Sequence, residues 1–223
     1  VRSGLLDVAV ASTANYFATR LLAEFNKRFD GITVRLEVTN RAGLLNQLAE
    51  NTRDMVIMGQ PPEESSLVAE AFMENPLVVI APPSHPLAGQ GPLPFERLRE
   101  ETFVIREQGS GTRIAMERYF ARHGLELRTG VEMSSNEAIK QAVEAGLGLG
   151  IVSIHTRVLE LEAGRLTVLD VEDFPILRHW YLVYREGKRL SPAASSFREF
   201  LLEEAPALIE PAYSPERSDS GGR

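Results

Sequence analysis

Hydrophobic and polar residues alternate along several short stretches of the chain and recur with helical spacing in the stretches between them. From Ile32 to Val38 every second residue is aliphatic, and the residues between them are threonine, arginine and glutamate. This period of two predicts a strand with one buried face. From Thr13 to Phe29 the large apolar residues recur every three or four positions, which predicts an amphipathic helix.

The order of the predicted elements indicates an α/β fold. Strand and helix alternate at the beginning of the chain and again through its middle, as expected for parallel, doubly wound sheets. The predicted strands are 5–12, 32–38, 54–58, 68–72, 77–81, 103–106, 130–133, 149–154 and 180–184, and the predicted helices are 13–29, 41–50, 112–123, 136–145 and 192–204.

An interruption of this alternation divides the fold into two Rossmann-like lobes. Three prolines within residues 82–86 exclude a helix and predict the crossing from one lobe to the other, and a second crossing is predicted at 166–171. A chain that crosses and later returns leaves a ligand cleft, and ligands of open α/β sheets bind beyond the carboxyl ends of strands. The predicted lobes are residues 1–80 plus 170–206 and residues 81–169, with a disordered tail at 207–223.

Polar residues follow the predicted strands at five places and are the candidate ligand contacts. Those before a helix would also serve as N-caps, so capping and ligand binding stay open as alternatives. Ser134 and Glu137, for example, have the spacing of a capping box. The candidate ligand-binding residues are Ser12, Thr13, Asn40, Arg41, Gly59, Gln108, Gly109, Ser110, Gly111, Thr112, Arg113, Ser134, Ser135 and Asn136.

The loop Gln-Gly-Ser-Gly-Thr-Arg at residues 108–113 favours an anion. Its glycines let backbone amides turn toward one point, its hydroxyls add donors, and the following helix adds the positive end of its dipole. Arg113 in the first helical turn opposes that dipole and needs a counter-charge. Glu107 could supply it, and so could a bound phosphate or carboxylate. Arg41 stands at the matching place in the other lobe, so a small acidic metabolite suits the predicted cleft.

Composition narrows the class of protein. A net charge of -7 over 223 residues disfavours nucleic-acid binding by this chain, because a phosphate backbone attracts basic surfaces. Without cysteine, disulfides and cysteine-bound zinc are excluded, and the four scattered histidines predict no metal site. No apolar run reaches the ~18 residues of a membrane span. Nucleotide-binding and nucleophile motifs are absent, so neither catalytic residues nor an enzymatic activity is predicted.

Several motifs resemble one known family. SSNEAIKQAVEAGLGLGIVS after a strand, WYLVYREGKRLSPAASSFREFL near the end, and SHPL are together similar to the effector-binding domain of LysR-type transcriptional regulators. STANYFATRLLAEF and EQGSGTR make the chain most similar to the CbbR-like regulators of carbon-fixation operons. The resemblance implies a type 2 periplasmic-binding-protein-like fold, with ligand contacts at the strand ends named above.

The resemblance also implies how such a protein acts. A small anionic metabolite in the cleft would change how a tetramer bends promoter DNA, which an N-terminal winged helix-turn-helix reads. That segment is not in this chain, which begins with valine, and we interpret the chain as a piece of a longer protein. The implied effectors are ribulose 1,5-bisphosphate, phosphoenolpyruvate, phosphoglycerate, NADPH or ATP, without a cofactor. We expect a homodimer of this domain, a tetramer of the full-length protein, a cytoplasmic location and no membrane partner.

Two other classes of protein stay open at this point. A free-standing periplasmic-type solute-binding protein for an anionic ligand would share the fold and the cleft but would have no DNA-binding domain. An enzyme on the same fold, such as a phosphate-handling transferase, would need a nucleophile or an acid–base pair in the cleft, and the sequence offers neither.

Overall fold

The computed structural model of the chain describes residues 3–63, 65–156 and 158–209. The apolar periodicity predicts most of the elements correctly, although the first helix begins as a 3₁₀ turn at Ser12–Ala14. In chain order the elements are β1 (Gly4–Ala11), α1 (Asn15–Arg28), β2 (Ile32–Thr39), α2 (Arg41–Glu50), β3 (Met55–Met58), β4 (Leu67–Glu74), β5 (Leu77–Ala81), β6 (Phe103–Arg106), α3 (Gly111–Arg122), β7 (Thr129–Met133), α4 (Asn136–Glu144), β8 (Gly150–Ser153), α5 (Val158–Glu162), β9 (Thr167–Val168), β10 (His179–Arg185) and α6 (Pro192–Leu208).

The first lobe is built on a five-stranded sheet in the order β2-β1-β3-β10-β4. β1 is parallel to β2 and β3, whereas β10 is antiparallel to both of its neighbours. The sheet is therefore mixed rather than purely parallel, because the chain returns from the second lobe in the opposite direction. Phe17, Phe25 and Phe197 fill the core between the sheet and helices α1 and α6. Leu44 and Leu48 of α2 pack on the other face.

The second lobe has a three-stranded antiparallel sheet, β8-β5-β9, and the parallel pair β6-β7. A bridge between Phe103 and Leu149 brings β6 alongside the residues that lead into β8. Phe103 and Phe120 form the core on the α3 side, and Val104 and Val143 form the core on the α4 side. The carboxyl end of β6 and the N termini of α3 and α4 consequently face the first lobe.

The two lobes are joined by two extended segments that pair with each other. The amide of Asn75 donates to the carbonyl of Arg178 at 2.6 Å, and Leu77 and Ile176 exchange two backbone hydrogen bonds of 2.9 Å. The predicted crossings at 82–86 and 166–171 need correction, because β5 and β9 pair with each other inside the second lobe. The prolines mark the end of β5, and the crossing itself is extended chain that carries no distinctive composition.

The last helix is longer than predicted. α6 contains Pro206 and continues to Leu208, so the first residues of the predicted tail 207–223 are helical. The remainder of that predicted tail, 210–223, lies outside the described residues. Within the part of the chain that the structure describes, no helix has the length and apolarity needed to cross a membrane.

Candidate functional site

A cavity of about 50 Å³, lined mostly by polar residues, lies between the lobes, where the sequence predicts a ligand cleft. It is bordered by the carboxyl ends of β1 and β3, the N termini of α2 and α3, and the crossing segments. We call it the cleft cavity, and its lining is Ala11, Ser12, Thr13, Asn40, Arg41, Met58, Gly59, Asn75, Leu77, Arg106, Ser110, Gly111, Thr112, Arg178 and Trp180.

The structure brings together most, but not all, of the candidate ligand-binding residues. Those that line the cleft cavity are Ser12, Thr13, Asn40, Arg41, Gly59, Ser110, Gly111 and Thr112. Those that do not line it are Gln108, Gly109, Arg113, Ser134, Ser135 and Asn136. Of the second group, Asn136 and Gly109 make contacts between the lobes, and Gln108, Ser134 and Ser135 are exposed.

Helix capping and a place at the cleft cavity prove compatible. The side chain of Asn40 accepts from the amide of Gly43 at 3.0 Å, and that of Ser110 accepts from the amide of Arg113 at 3.4 Å, yet both residues line the cavity. In the second lobe Ser135, not Ser134, caps α4, so the predicted capping box is incorrect. The box spacing identified the helix start to within one residue but not the capping side chain.

Arg113 points away from the cleft cavity. Its guanidinium forms ion pairs with Glu117 at 2.8 Å and Glu132 at 3.0 Å, and it donates to the backbone carbonyl of Arg106. Hydrogen bonding to Glu117 raises the pKa of Arg113 despite its burial, and Glu132 raises it further. Arg113 therefore needs neither Glu107 nor an external anion as its counter-charge, because Glu117 of α3 and Glu132 of β7 supply it.

Arg106 is the buried cation of the site, and the sequence pattern did not identify it as a site residue. Its side chain is only 5% exposed and makes a two-point contact with Glu107, at 2.7 and 3.2 Å. Burial would raise the pKa of Glu107, but hydrogen bonds from Arg106 and Asn40, together with the charge of Arg106, lower it below its ordinary value. Arg106 and Glu107 therefore form a charged pair that is neutral as a unit.

This pair is the centre of a hydrogen-bond network that connects the lobes. Arg106 also donates to Ser12 of the first lobe at 3.2 Å and to Asn136 at 2.8 Å. Asn136 in turn donates to the hydroxyl of Thr13 at 3.0 Å. Because buried polar groups are costly unless each is satisfied, these contacts favour the arrangement in which the lobes touch.

A second group of contacts lies on the α2 side of the cleft cavity. Asn40 donates to Glu107 at 3.1 Å, and the amide of Ala42 donates to the carbonyl of Gly109 at 3.3 Å. Gly109 has a φ of +89°, and a Cβ at this position would lie 3.0 Å from the Cβ of Ala42. Glycine is therefore needed at 109 both for the left-handed backbone and for the close approach of the lobes.

Two arginines of the first lobe's side of the cleft lack a carboxylate partner in the described part of the chain. Arg41 donates to the backbone carbonyl of Gln60 at 2.7 Å. Arg178 lies at the end of the second crossing segment, and its guanidinium is next to Gly59. Burial lowers the pKa of Arg41, and the charges of Arg178 and Arg118 lower it further. Burial and the charge of Arg118 likewise lower the pKa of Arg178. Guanidinium groups stay protonated in proteins, so positive charge at this end of the cavity is uncompensated.

Trp180 adds a donor that the fold does not use. It is 3% exposed, it lines the cleft cavity, and its indole nitrogen has no hydrogen-bond partner among the described residues. A buried unpaired N–H is uncommon in folded proteins and is often explained by a missing ligand or water. Trp180 and Arg178 lie in and before β10, far in sequence from the other cavity residues, and no local pattern in the sequence marks them.

The chain forms two α/β lobes that are joined by two paired crossing segments, with a cavity lined mostly by polar residues between the lobes. These features define a two-lobed ligand-binding domain of the periplasmic-binding-protein type. The sequence matches the family model of the LysR substrate binding domain over residues 1–206. The chain therefore belongs to that family and is the effector-binding domain of a LysR-type regulator.

Individual relatives agree with this assignment. A RuBisCO operon transcriptional regulator of Allochromatium vinosum is 61% identical over 205 residues, which cover 92% of this chain and 68% of the relative. The HTH-type transcriptional regulator CbbR of Rhodospirillum rubrum is 48% identical over 200 residues, which cover 90% and 66%. The chain thus spans about two thirds of the length of these relatives.

A solved structure is similar over nearly the whole chain. It is the regulatory domain of CcmR from Synechocystis PCC6803 in complex with 2-PG, with 44% sequence identity and a TM-score of 0.86 over 90% of this chain and 96% of that chain. These comparisons confirm the resemblance to LysR-type regulators and, within them, to CbbR-like regulators of carbon fixation. They favour a regulator over a free-standing solute-binding protein.

Proposed function

We propose that this domain senses a small anionic metabolite, held in the cleft cavity, on behalf of a transcriptional regulator of carbon-fixation genes. The observation that carries the proposal is the pair Arg41 and Arg178, which face the cavity without a carboxylate partner in the described residues. An anion between them would supply the missing counter-charge and accept charge-assisted hydrogen bonds.

The rest of the lining is suited to the oxygens of such an anion. Thr13, Ser110 and Thr112 provide hydroxyl groups, and the N termini of α2 and α3 provide backbone amides and the positive ends of two helix dipoles. Phosphate and carboxylate groups are the usual ligands of such a combination. The effector candidates are ribulose 1,5-bisphosphate, phosphoenolpyruvate, phosphoglycerate, NADPH and ATP, and the Synechocystis relative adds 2-PG.

Regulation follows from the position of the site between two lobes. A ligand that contacts Arg41 on one lobe and Ser110 on the other binds the closed arrangement more tightly than an open one. The free energy available for signalling is RT times the logarithm of the ratio of these two affinities. We propose that the full-length protein is a cytoplasmic tetramer and that this domain pairs as a homodimer within it. The closed arrangement would change the contact of an N-terminal helix-turn-helix with promoter DNA. The domain itself would catalyse no reaction.

The proposal is tested by titrating the purified chain with each candidate, with inorganic phosphate and with benzoate, using two signals. Trp180 is the single tryptophan of the chain and lines the cavity, so its fluorescence reports binding directly. Calorimetry gives the affinity independently. We expect one phosphorylated metabolite to bind, and we expect Arg41→Gln to weaken its binding about tenfold, equivalent to ~1.4 kcal/mol.

Arg113→Gln is the matched control, because Arg113 lies in the first turn of α3 in the other lobe but its guanidinium pairs with Glu117 and Glu132 instead of facing the cavity. This variant should bind within about twofold of the unchanged chain. Absence of binding by every anionic compound would refute the proposal, as would binding that is weakened by Arg113→Gln but not by Arg41→Gln.

A further inference from the structure

A second cavity of about 400 Å³ adjoins the cleft cavity. The two share Arg41, Gly111 and Arg178 as common walls. We call the second one the side cavity; it extends past Ile114 and Arg118 of α3 toward the loop that follows β3. Nothing in the strand-end pattern of the sequence indicates it, because Arg118 lies in the middle of a helix.

The sizes of the two cavities differ in a way that matters for the ligand. A cavity needs about 10–15 Å³ to hold one water, so the cleft cavity has room for roughly four water-sized atoms. That is the size of one phosphate or carboxylate group. A larger metabolite has to extend out of the cleft cavity, and the side cavity of about 400 Å³ is the adjoining space.

The charge of the side cavity is the second observation. Arg41, Arg118 and Arg178 border it, and the charge of Arg118 lowers the pKa of both other arginines. Glu63 is the acidic residue on the described part of the rim; it is exposed and does not pair with any of the three arginines. Three guanidinium groups and one carboxylate leave an excess of positive charge that the described residues do not neutralise.

We propose that the side cavity is a second anion subsite, in which Arg118 binds a second acidic group of the effector. One phosphate or carboxylate lies in the cleft cavity, and a second phosphate or carboxylate lies against Arg118 and Arg178. This inference rests on the proposed function, because it assigns a further ligand contact to the same site. It also gives Arg118, which does not line the cleft cavity, a role in specificity.

The test compares two ligands that differ by one phosphate, ribulose 1,5-bisphosphate and ribulose 5-phosphate, on three forms of the chain. The forms are unchanged, Arg118→Gln and Arg165→Gln. Arg165 is a matched control, since its side chain is 66% exposed and lies outside both cavities. Calorimetry measures each affinity, and a thermal melt without ligand measures the effect of each change on the fold.

We expect Arg118→Gln to weaken ribulose 1,5-bisphosphate about tenfold and ribulose 5-phosphate by no more than about twofold. Arg165→Gln should leave both affinities unchanged. Without ligand, Arg118→Gln should melt at the same or a higher temperature, because it removes repulsion from two neighbouring arginines. A merely structural role for Arg118 would instead lower the melting temperature.

The inference fails if ribulose 1,5-bisphosphate binds no more tightly than the monophosphate, or if Arg118→Gln weakens both ligands equally or neither. In each of these cases binding at the cleft cavity persists, so the proposed function survives. If no anionic compound binds the unchanged chain, the proposed function and this inference fail together, and that result is distinguishable from the others.

Discussion

Replacing Glu107 with glutamine removes one charge from the centre of the contact between the lobes. The change keeps the size of the side chain, but it leaves the guanidinium of Arg106, 5% exposed, without its carboxylate. Arg106 retains its hydrogen bonds to Ser12 and Asn136. We therefore expect a stability loss near the lower end of the range for breaking a buried ion pair, about 3 kcal/mol.

For a chain of this length such a loss corresponds to a melting temperature lower by about 6–12 °C. Chemical unfolding gives the free energy, and a calorimetric melt gives the temperature. Glu117→Gln is the matched control, because Glu117 pairs with Arg113 on the surface of α3 and is 50% exposed. That pair is worth only about 0.3–0.5 kcal/mol.

Comparable losses for Glu107→Gln and Glu117→Gln would refute the reasoning, since they would mean that the Arg106–Glu107 pair is no more buried in solution than a surface pair. A large loss of stability for Glu107→Gln with unchanged ligand affinity would contradict a narrower claim, namely that the hydrogen bond from Asn40 to Glu107 helps to hold the lobes together.

Three further predictions concern the same region. Gly109→Ala should lose about 1–2 kcal/mol of stability and weaken ligand binding, because a Cβ there meets Ala42 of the other lobe; Gly124→Ala, also at positive φ but with nothing within 4 Å, should affect stability alone. The pKa of Glu107 is depressed in the folded state, so its contribution to stability is complete above its ordinary pKa of 4.5 and is lost as the pH falls through the folded value; the unfolding free energies of the unchanged chain and Glu107→Gln should therefore differ at pH 7 and converge in the acid range. Trp180→Phe should keep the fold but weaken an anionic ligand by a few-fold in calorimetry, because it removes an unpaired donor at the cavity; unchanged affinity would show that the indole N–H does not contact the ligand.

Local sequence patterns were sufficient to predict most helices and strands and those site residues that lie at strand ends. Period-two and helical periodicity located β2 and α1, and the rule that ligands bind beyond strand ends led to Asn40, Arg41 and Ser110. These residues are contiguous with a strand end or a helix start, so their neighbours in sequence identify them. The alternatives of helix cap and ligand contact do not exclude each other in the structure, because Asn40 and Ser110 cap their helices and also line the cleft cavity.

The residues that sequence reasoning missed depend on contacts between distant segments. Arg106 ends a strand buried at all four positions, where alternation gives no warning of a buried cation. Arg178 is brought to the cavity by the pairing of the two crossing segments, which lie at 75–77 and 176–178. Arg113 was expected at the cavity because of its sequence neighbours, but Glu132 on β7 pairs with it, and that proximity exists only in the folded chain.

The most direct test of the central claim is a crystal structure of the chain with the anionic metabolite that binds most tightly in the titrations. The account predicts electron density for an acidic group between the lobes, within hydrogen-bond distance of Arg41 or Arg178 and of the α3 N terminus at Ser110 to Thr112. Density for the ligand elsewhere, with Arg41 and Arg178 free of it, would contradict the account.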